Sequence, residues 1–343
     1  MDSDQNRPAT PVTAVDPAKP FGHGSISASL YVHGQPAAEA AAFLMRQAQV
    51  AEDAGFDGLT VSEHHAGLFE YVPNPLLVAS WLLAATRRVW AGPCPLLLSL
   101  RSPLLVAEDM AWLAARFPGR VGGGFGPGTP TTPADYVIGG IGMDERRRIF
   151  AERLPVLVAA LRGEAPAPLS NDPAVAACKD SPIQCLSTVG GPLGARRAAR
   201  VGAGLVPMSS VGLEQLRSQI QPYREAGGRG PVVINRRAWL GPPDQGRLDS
   251  LVAHRNTRDN AAAYDAGPRP DFIASEDPDE VAERLVDLVA AAGGTAVNIK
   301  FFYRGAAPDD ILGQLAHFGA QVTPRFRRRM AEALAREPQP APA

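Results

Sequence analysis

Hydrophobic positions along this chain follow two alternating periods. Short aliphatic runs bounded by glycine or proline predict strands at Ser25–Val32, Gly58–Val61, Val89–Gly92, Arg120–Gly126, Ile183–Thr188, Gly204–Met208, Val232–Leu240 and Ala296–Phe302. Between them, apolar residues recur at helical spacing over Ala37–Ala54, Leu76–Ala85, Pro103–Ala115, Met143–Leu161, Leu193–Val201, Leu213–Ala226 and Pro278–Ala292, with terminal helices from Pro308 to Ala335. In the first helix Phe43, Leu44, Gln47, Ala48 and Ala51 fall on one face, and Pro36 stands at its start. Strand–helix alternation implies parallel pairing through right-handed crossovers, and eight such units close into a ring. The expected fold is therefore α/β, a (β/α)8 TIM barrel with insertions after strands 4 and 7. An open doubly wound sheet is the rival arrangement, but no G-x-G-x-x-G follows the first strand to support it.

The aperiodic segments complete the domain plan. Met1–Gly24 reads as a disordered leader, 25–336 as a single barrel domain and 337–343 as a flexible tail. Gly163–Pro182 is a Pro-rich link, and the polar insertion Gly241–Ala274 has the composition of a lid over the barrel mouth. An apolar content of 45% suits a sizeable core, and a net charge of −1 gives no electrostatic footprint for nucleic acid or an anionic membrane. Cys94, Cys178 and Cys185 show neither a disulfide framework nor metal-type spacing, so no metal site is expected. With no signal peptide and no long apolar span, the expected compartment is the cytoplasm, and the preference for Arg over Lys with abundant Ala, Gly and Pro points to a GC-rich bacterial source.

Candidate chemistry concentrates in Ala51–His65, A-E-D-A-G-F-D-G-L-T-V-S-E-H-H. Gly55 stops a helix, a short strand follows, and Glu63, His64 and His65 stand at its C-terminal end, where parallel α/β folds carry their sites. Taken alone, the stretch also fits ordinary surface or capping histidines. Gly190-Gly191-Pro192-Leu193-Gly194 leads from a strand into a helix, so its backbone N–H groups can face an anion. The run Gly122–Gly126 has small side chains that let a ring or substrate approach a strand, while Phe125 fills the core. Phe69, Tyr71 and Tyr136 lie on loops near the same end and serve equally well as packing. Nothing near Cys94 in sequence would activate it, which makes it a small wall residue.

Five blocks carry a family resemblance: the Ala51–His65 stretch, P-N-P-L-L-V-A-S-W-L-L-A-A-T-R-R-V-W-A-G, R-S-P-L-L-V-A-E-D-M-A-W-L-A-A-R-F-P-G-R-V-G-G-G-F-G-P-G, G-I-G-M-D-E-R-R-R-I-F-A-E-R-L and G-G-P-L-G-A-R-R-A-A-R-V-G-A-G-L. In their order and spacing the chain resembles the bacterial luciferase-like flavin-dependent oxidoreductases. The resemblance implies a barrel that binds reduced flavin at its C-terminal mouth, in many members reduced FMN that reacts with O2, and in a large branch the deazaflavin F420 for hydride transfer. His64 aligns with the catalytic imidazole, and Glu63 beside it would orient backbone or flavin. Cofactor contacts are implied for Glu63, Cys94, Pro95, Gly126, Arg147, Gly190, Gly191 and Gly194, with a cis peptide at Cys94–Pro95 and Arg147 on the phosphate.

Arg146 and Arg148, about 100° away on either side, are expected to be solvated. Two departures remove anion ligands, since Pro127 replaces an arginine common after strand 4 and glycines with Pro192 replace hydroxyl residues. That would suit modest FMN affinity in a two-component enzyme fed by a separate flavin reductase, and it also leaves room for the F420 tail. The expected function is a monooxygenase using reduced FMN and O2 on a small organic substrate, with a homodimer as the expected assembly. F420-dependent hydride transfer is the alternative, although that branch more often has Asp before the histidine. A non-catalytic flavin-binding relative is the third reading.

Overall fold

The computed structural model describes residues 16–66, 71–209, 211–241, 272–301 and 306–336. Its strands are β1 (Ile26–Ser29), β2 (Gly58–Val61), β3 (Trp90–Pro93), β4 (Leu96–Leu97), β5 (Gly122–Gly126), β6 (Gln184–Val189), β7 (Gly204–Pro207), β8 (Val233–Leu240), β9 (Phe272–Ser275) and β10 (Ala296–Lys300). The helices among these residues are α1 (Ala37–Asp53), α2 (Pro75–Ala85), α3 (Pro103–Arg116), α4 (Pro133–Gly139), α5 (Arg146–Ala160), α6 (Pro173–Ala177), α7 (Pro192–Arg200), α8 (Leu213–Glu225), α9 (Pro278–Ala292) and α10 (Pro308–Arg336). None of them is long and apolar enough to cross a membrane.

Among the described residues all strand pairing is parallel and falls into two arcs, β3-β2-β1-β10-β8-β9 and β4-β5-β6-β7. Isolated bridges at Ala91–Val121 and Leu205–Val232 join them. At these seams Ala91 N–H donates to Arg120 O at 2.9 Å and Leu205 N–H to Pro231 O at 2.7 Å. The ring β1-β2-β3-β5-β6-β7-β8-β10 is thus a closed (β/α)8 barrel in chain order, as the periodicity predicts, with β4 and β9 as extensions at its rim.

Strand alternation separates lumen from shell. Ser27 Oγ and Thr60 Oγ1 donate to Asn298 Oδ1 at 2.9 and 3.1 Å, and Asn298 Nδ2 donates to Asn235 Oδ1 at 2.8 Å, forming a polar layer across the lumen. Trp90 fills the base, where a Cβ on Gly58 would stand 2.1 Å from its ring. Phe21, fully buried, packs on Trp90 with ring centroids 4.5 Å apart and closes the floor together with Leu186, Val206, Val233 and Ala296. The outward residues of the same strands, such as Ile26, Leu59, Ala91 and Val297, meet the helices.

Several sequence expectations shift. The described part of the leader is ordered, because Phe21 is an apolar plug that the barrel floor requires. The Pro-rich link holds α6, capped by Asp172 Oδ1, which accepts from Ala174 N–H and Val175 N–H at 2.9 Å. The end of the second insertion is β9, and the rest of it, 242–271, lies outside the described residues, as does the 337–343 tail. One 29-residue helix, α10, replaces the separate terminal helices and carries Pro324 within it.

Candidate active site

The loops after β2 and β3 are tied together. Cys94 N–H donates to Val61 O at 2.8 Å, Ser62 Oγ to Cys94 O at 2.7 Å and Glu63 N–H to Pro95 O at 3.0 Å. The Cys94–Pro95 peptide is cis. Just beyond it, Leu97 N–H donates to Glu63 Oε2 at 2.7 Å. Arg101 donates to Glu63 Oε1 from Nη2 at 2.8 Å and Nε at 3.2 Å, and also to Pro73 O at 3.0 Å. His65 Nε2 lies 2.9 Å from the same Oε1. Glu63 is 0% exposed. Its carboxylate therefore organises the two loops, holding the backbone at Leu97 and the side chains of Arg101 and His65.

His64 is oriented by Asp135, on the first turn of α4: Nδ1 lies 2.8 Å from Asp135 Oδ2, while Asp135 Oδ1 accepts the His65 N–H at 2.7 Å. Burial alone would raise the Asp135 pKa, but hydrogen bonds from His64, Thr132 and the His65 N–H hold the carboxyl below its ordinary range. A carboxylate at Nδ1 favours the proton there and leaves Nε2 for exchange with a ligand. Tyr71 packs edge-on against the imidazole at 4.5 Å. Both histidines line a cavity of about 500 Å³ whose walls include Val32, Leu44, Val72 and Trp81. For His65, the Glu63 hydrogen bond outweighs burial and raises its pKa, helped by the nearby Glu63 and Asp135 charges.

Glycines let the neighbouring strands close up beside the cis peptide. A Cβ on Gly124 would stand 2.9 Å from Cys94 Sγ, and one on Gly126 would stand 2.3 Å from Thr188 Oγ1 and 3.5 Å from Pro95 Cβ. Burial pushes the Cys94 thiol up to about 12, so it is neutral at physiological pH and serves as wall.

From Gly126 the rim continues into a second cavity of about 570 Å³, lined by Pro127, Arg147, Arg148, Thr188, Gly190, Gly191, Gly194 and Arg197. Arg147 and the glycine loop, far apart in sequence, thus share one hollow. Arg148 lies at its edge, held by Glu145 at 2.8 Å and Glu152 at 2.9 Å. Arg146 is buried, with Nη1 donating to Met143 O at 2.7 Å, where solvation was expected; it closes the turn into α5. Tyr136 is buried and donates to Thr129 O at 2.8 Å, and Phe69 lies outside the described residues.

Sequence reasoning missed Asp135, Arg101 and Thr188. Asp135 had a signal, since T-T-P-A-D places Pro at the first helical position and an acid in the first turn. Arg101 and Thr188 had none that separates them from solvated or strand residues.

The fold is thus a closed parallel barrel that carries an aspartate-held imidazole and, separately, an arginine-lined hollow. Residues 25–296 match the family model described as luciferase-like monooxygenase, and the chain belongs to that family. A curated relative, the F420-dependent glucose-6-phosphate dehydrogenase of Beutenbergia cavernae, is 30% identical over 330 residues, spanning 83% of this chain and 94% of that protein. Among solved structures, the monooxygenase RslO1 from Streptomyces bottropensis superposes with a TM-score of 0.72 at 21% identity, covering 88% of this chain and 99% of that one. The oxygenating constituent of 3,6-diketocamphane monooxygenase from Pseudomonas putida, in complex with FMN, gives 0.68 at 18% identity, with 88% and 98% covered. These structural likenesses speak to the fold.

Proposed function

We propose that the chain is a monooxygenase that uses reduced FMN and O2 to oxygenate a small organic substrate. The observation that carries this reading is the His64–Asp135 pair at 2.8 Å, a proton-exchanging group held rigidly at the barrel mouth. The residues present fit the cofactor. The arginine- and glycine-lined hollow takes a phosphate, and the ring would lie toward Gly126, which leads into that hollow, and the cis Cys94–Pro95 peptide packed near it. When bound, reduced flavin supplies the electrons that activate O2.

The protein's own tasks are then binding, orientation and proton handling. Arg147 and the Gly190–Gly194 backbone hold the phosphate. His64 Nε2 gives or takes a proton at the reacting centre, and the Asp135 carboxylate stabilises the imidazolium that results. The apolar walls of the cavity at His64 select a small organic substrate and keep water away. Reduced cofactor comes from a separate reductase. Exposed Leu105 and Trp112 on α3 with Val137 and Ile138 on α4 support a homodimer.

The second reading, F420-dependent hydride transfer, draws on the 30% identity to the dehydrogenase relative. Titration with FMN and F420, followed by exposure of each reduced complex to air, separates the two. The monooxygenase binds FMN, and its reduced complex consumes O2. Tight F420 binding with an air-stable reduced complex and no FMN binding overturns it.

A further inference from the structure

The hollow at the β5 and β6 rims holds more positive charge than its surroundings balance. Arg147, Arg148 and Arg197 line it, and no carboxylate does so among the described residues. Arg148 is neutralised by Glu145 and Glu152, both within 2.9 Å. Arg147 and Arg197 have no ion-pair partner among the described residues. Arg147 and Arg197 are therefore the two guanidinium groups in the hollow left open to bind an anion.

Arg197 reaches this place for a helical reason. Side chains on a helix lean toward its N-terminus, and residues three apart share a face, so Arg197 lies over the turn that begins at Gly194. Gly194 has no side chain to obstruct it, and Leu193, at 74% exposure, turns away into solvent. Arg197 is accordingly half-buried, while Arg196 and Arg200 on the same helix are exposed. Pro127, also in the lining, contributes neither charge nor a donor.

Building on the flavin reading, we propose that Arg197 is a second phosphate ligand alongside Arg147, and that the pair selects a terminal phosphate monoester. A monoester carries a charge of about −1.5 to −2 at neutral pH and offers three acceptor oxygens, which match two forked guanidinium donors. A phosphodiester keeps only two free oxygens, too few for two forked donors to engage fully.

The test is flavin-fluorescence titration of wild-type protein, Arg197→Gln and Arg196→Gln with FMN and with riboflavin, at low and at moderate salt. Wild type binds FMN far more tightly than riboflavin, and the FMN affinity falls as salt rises. Arg197→Gln weakens FMN by roughly 10- to 100-fold and leaves riboflavin unchanged, with a shallower salt dependence. Arg196→Gln behaves as wild type in all titrations. If Arg197→Gln binds FMN within about twofold of wild type, the role of Arg197 is overturned and the flavin reading stands. If wild type does not distinguish FMN from riboflavin, the hollow is no phosphate seat and both fail.

Discussion

Asp135 divides its two carboxylate oxygens between His64 and the backbone of His65. The charge at His64 is therefore what a conservative replacement removes. Asp135→Asn is expected to lower turnover by about 10- to 100-fold, and His64→Ala by about 10²–10⁴, with flavin affinity nearly unchanged in both. Steady-state kinetics beside cofactor titration checks this, and a His64→Ala enzyme of full activity removes the imidazole from the mechanism. His65 answers to pH in a different way. Its pKa is raised above the ordinary 6.5 chiefly by the Glu63 hydrogen bond, so the stability it contributes is complete below pH 6.5 and is lost as pH rises through the folded-state value. Urea midpoints of wild type are expected to fall relative to those of His65→Gln above pH 6.5, whereas parallel profiles would contradict this.

Among the elements, β3 and β5 approach most closely at Gly92, where an added Cβ would lie 1.7 Å from Gly122 O. Backbone cannot yield there as a flexible side chain would. Gly92→Ala is expected to cost at least about 2 kcal/mol, read as a lower urea midpoint at unchanged slope. The barrel strands were legible because each is a short apolar run between glycine or proline breaks, a local signal. Helix α4 carried only the T-T-P-A-D start signal inside a Gly/Pro/Thr-rich segment that otherwise resembles loop, and the contact its aspartate makes lies 71 residues away, at His64. The same limit hid α6 in a Pro-rich link and β9 at the end of an insertion. Arg146 misled in the other direction: arginine on a helix is solvated by default, and only the turn from Met143 shows why this one is buried.

For the molecule as a whole, closure at the floor depends on a residue that precedes the first strand. Phe21→Ala is expected to remove about 3–5 kcal/mol of stability by opening a cavity against Trp90, measurable by denaturant unfolding. A loss below about 1 kcal/mol would mean that the floor is sealed without it. The closed ring also has a division of labour along its two seams. Every residue lining the hollow proposed for the phosphate, from Pro127 to Arg197, lies within the uninterrupted stretch that forms β4 to β7, whereas His64 belongs to the other arc. The proposed phosphate grip is thus one portable cassette, separate from Cys94 and Pro95. Grafting residues 96–207 from a relative with another cofactor would exchange that grip as one segment and leave the imidazole in place, provided the graft keeps a carboxylate where Asp135 now bridges the join.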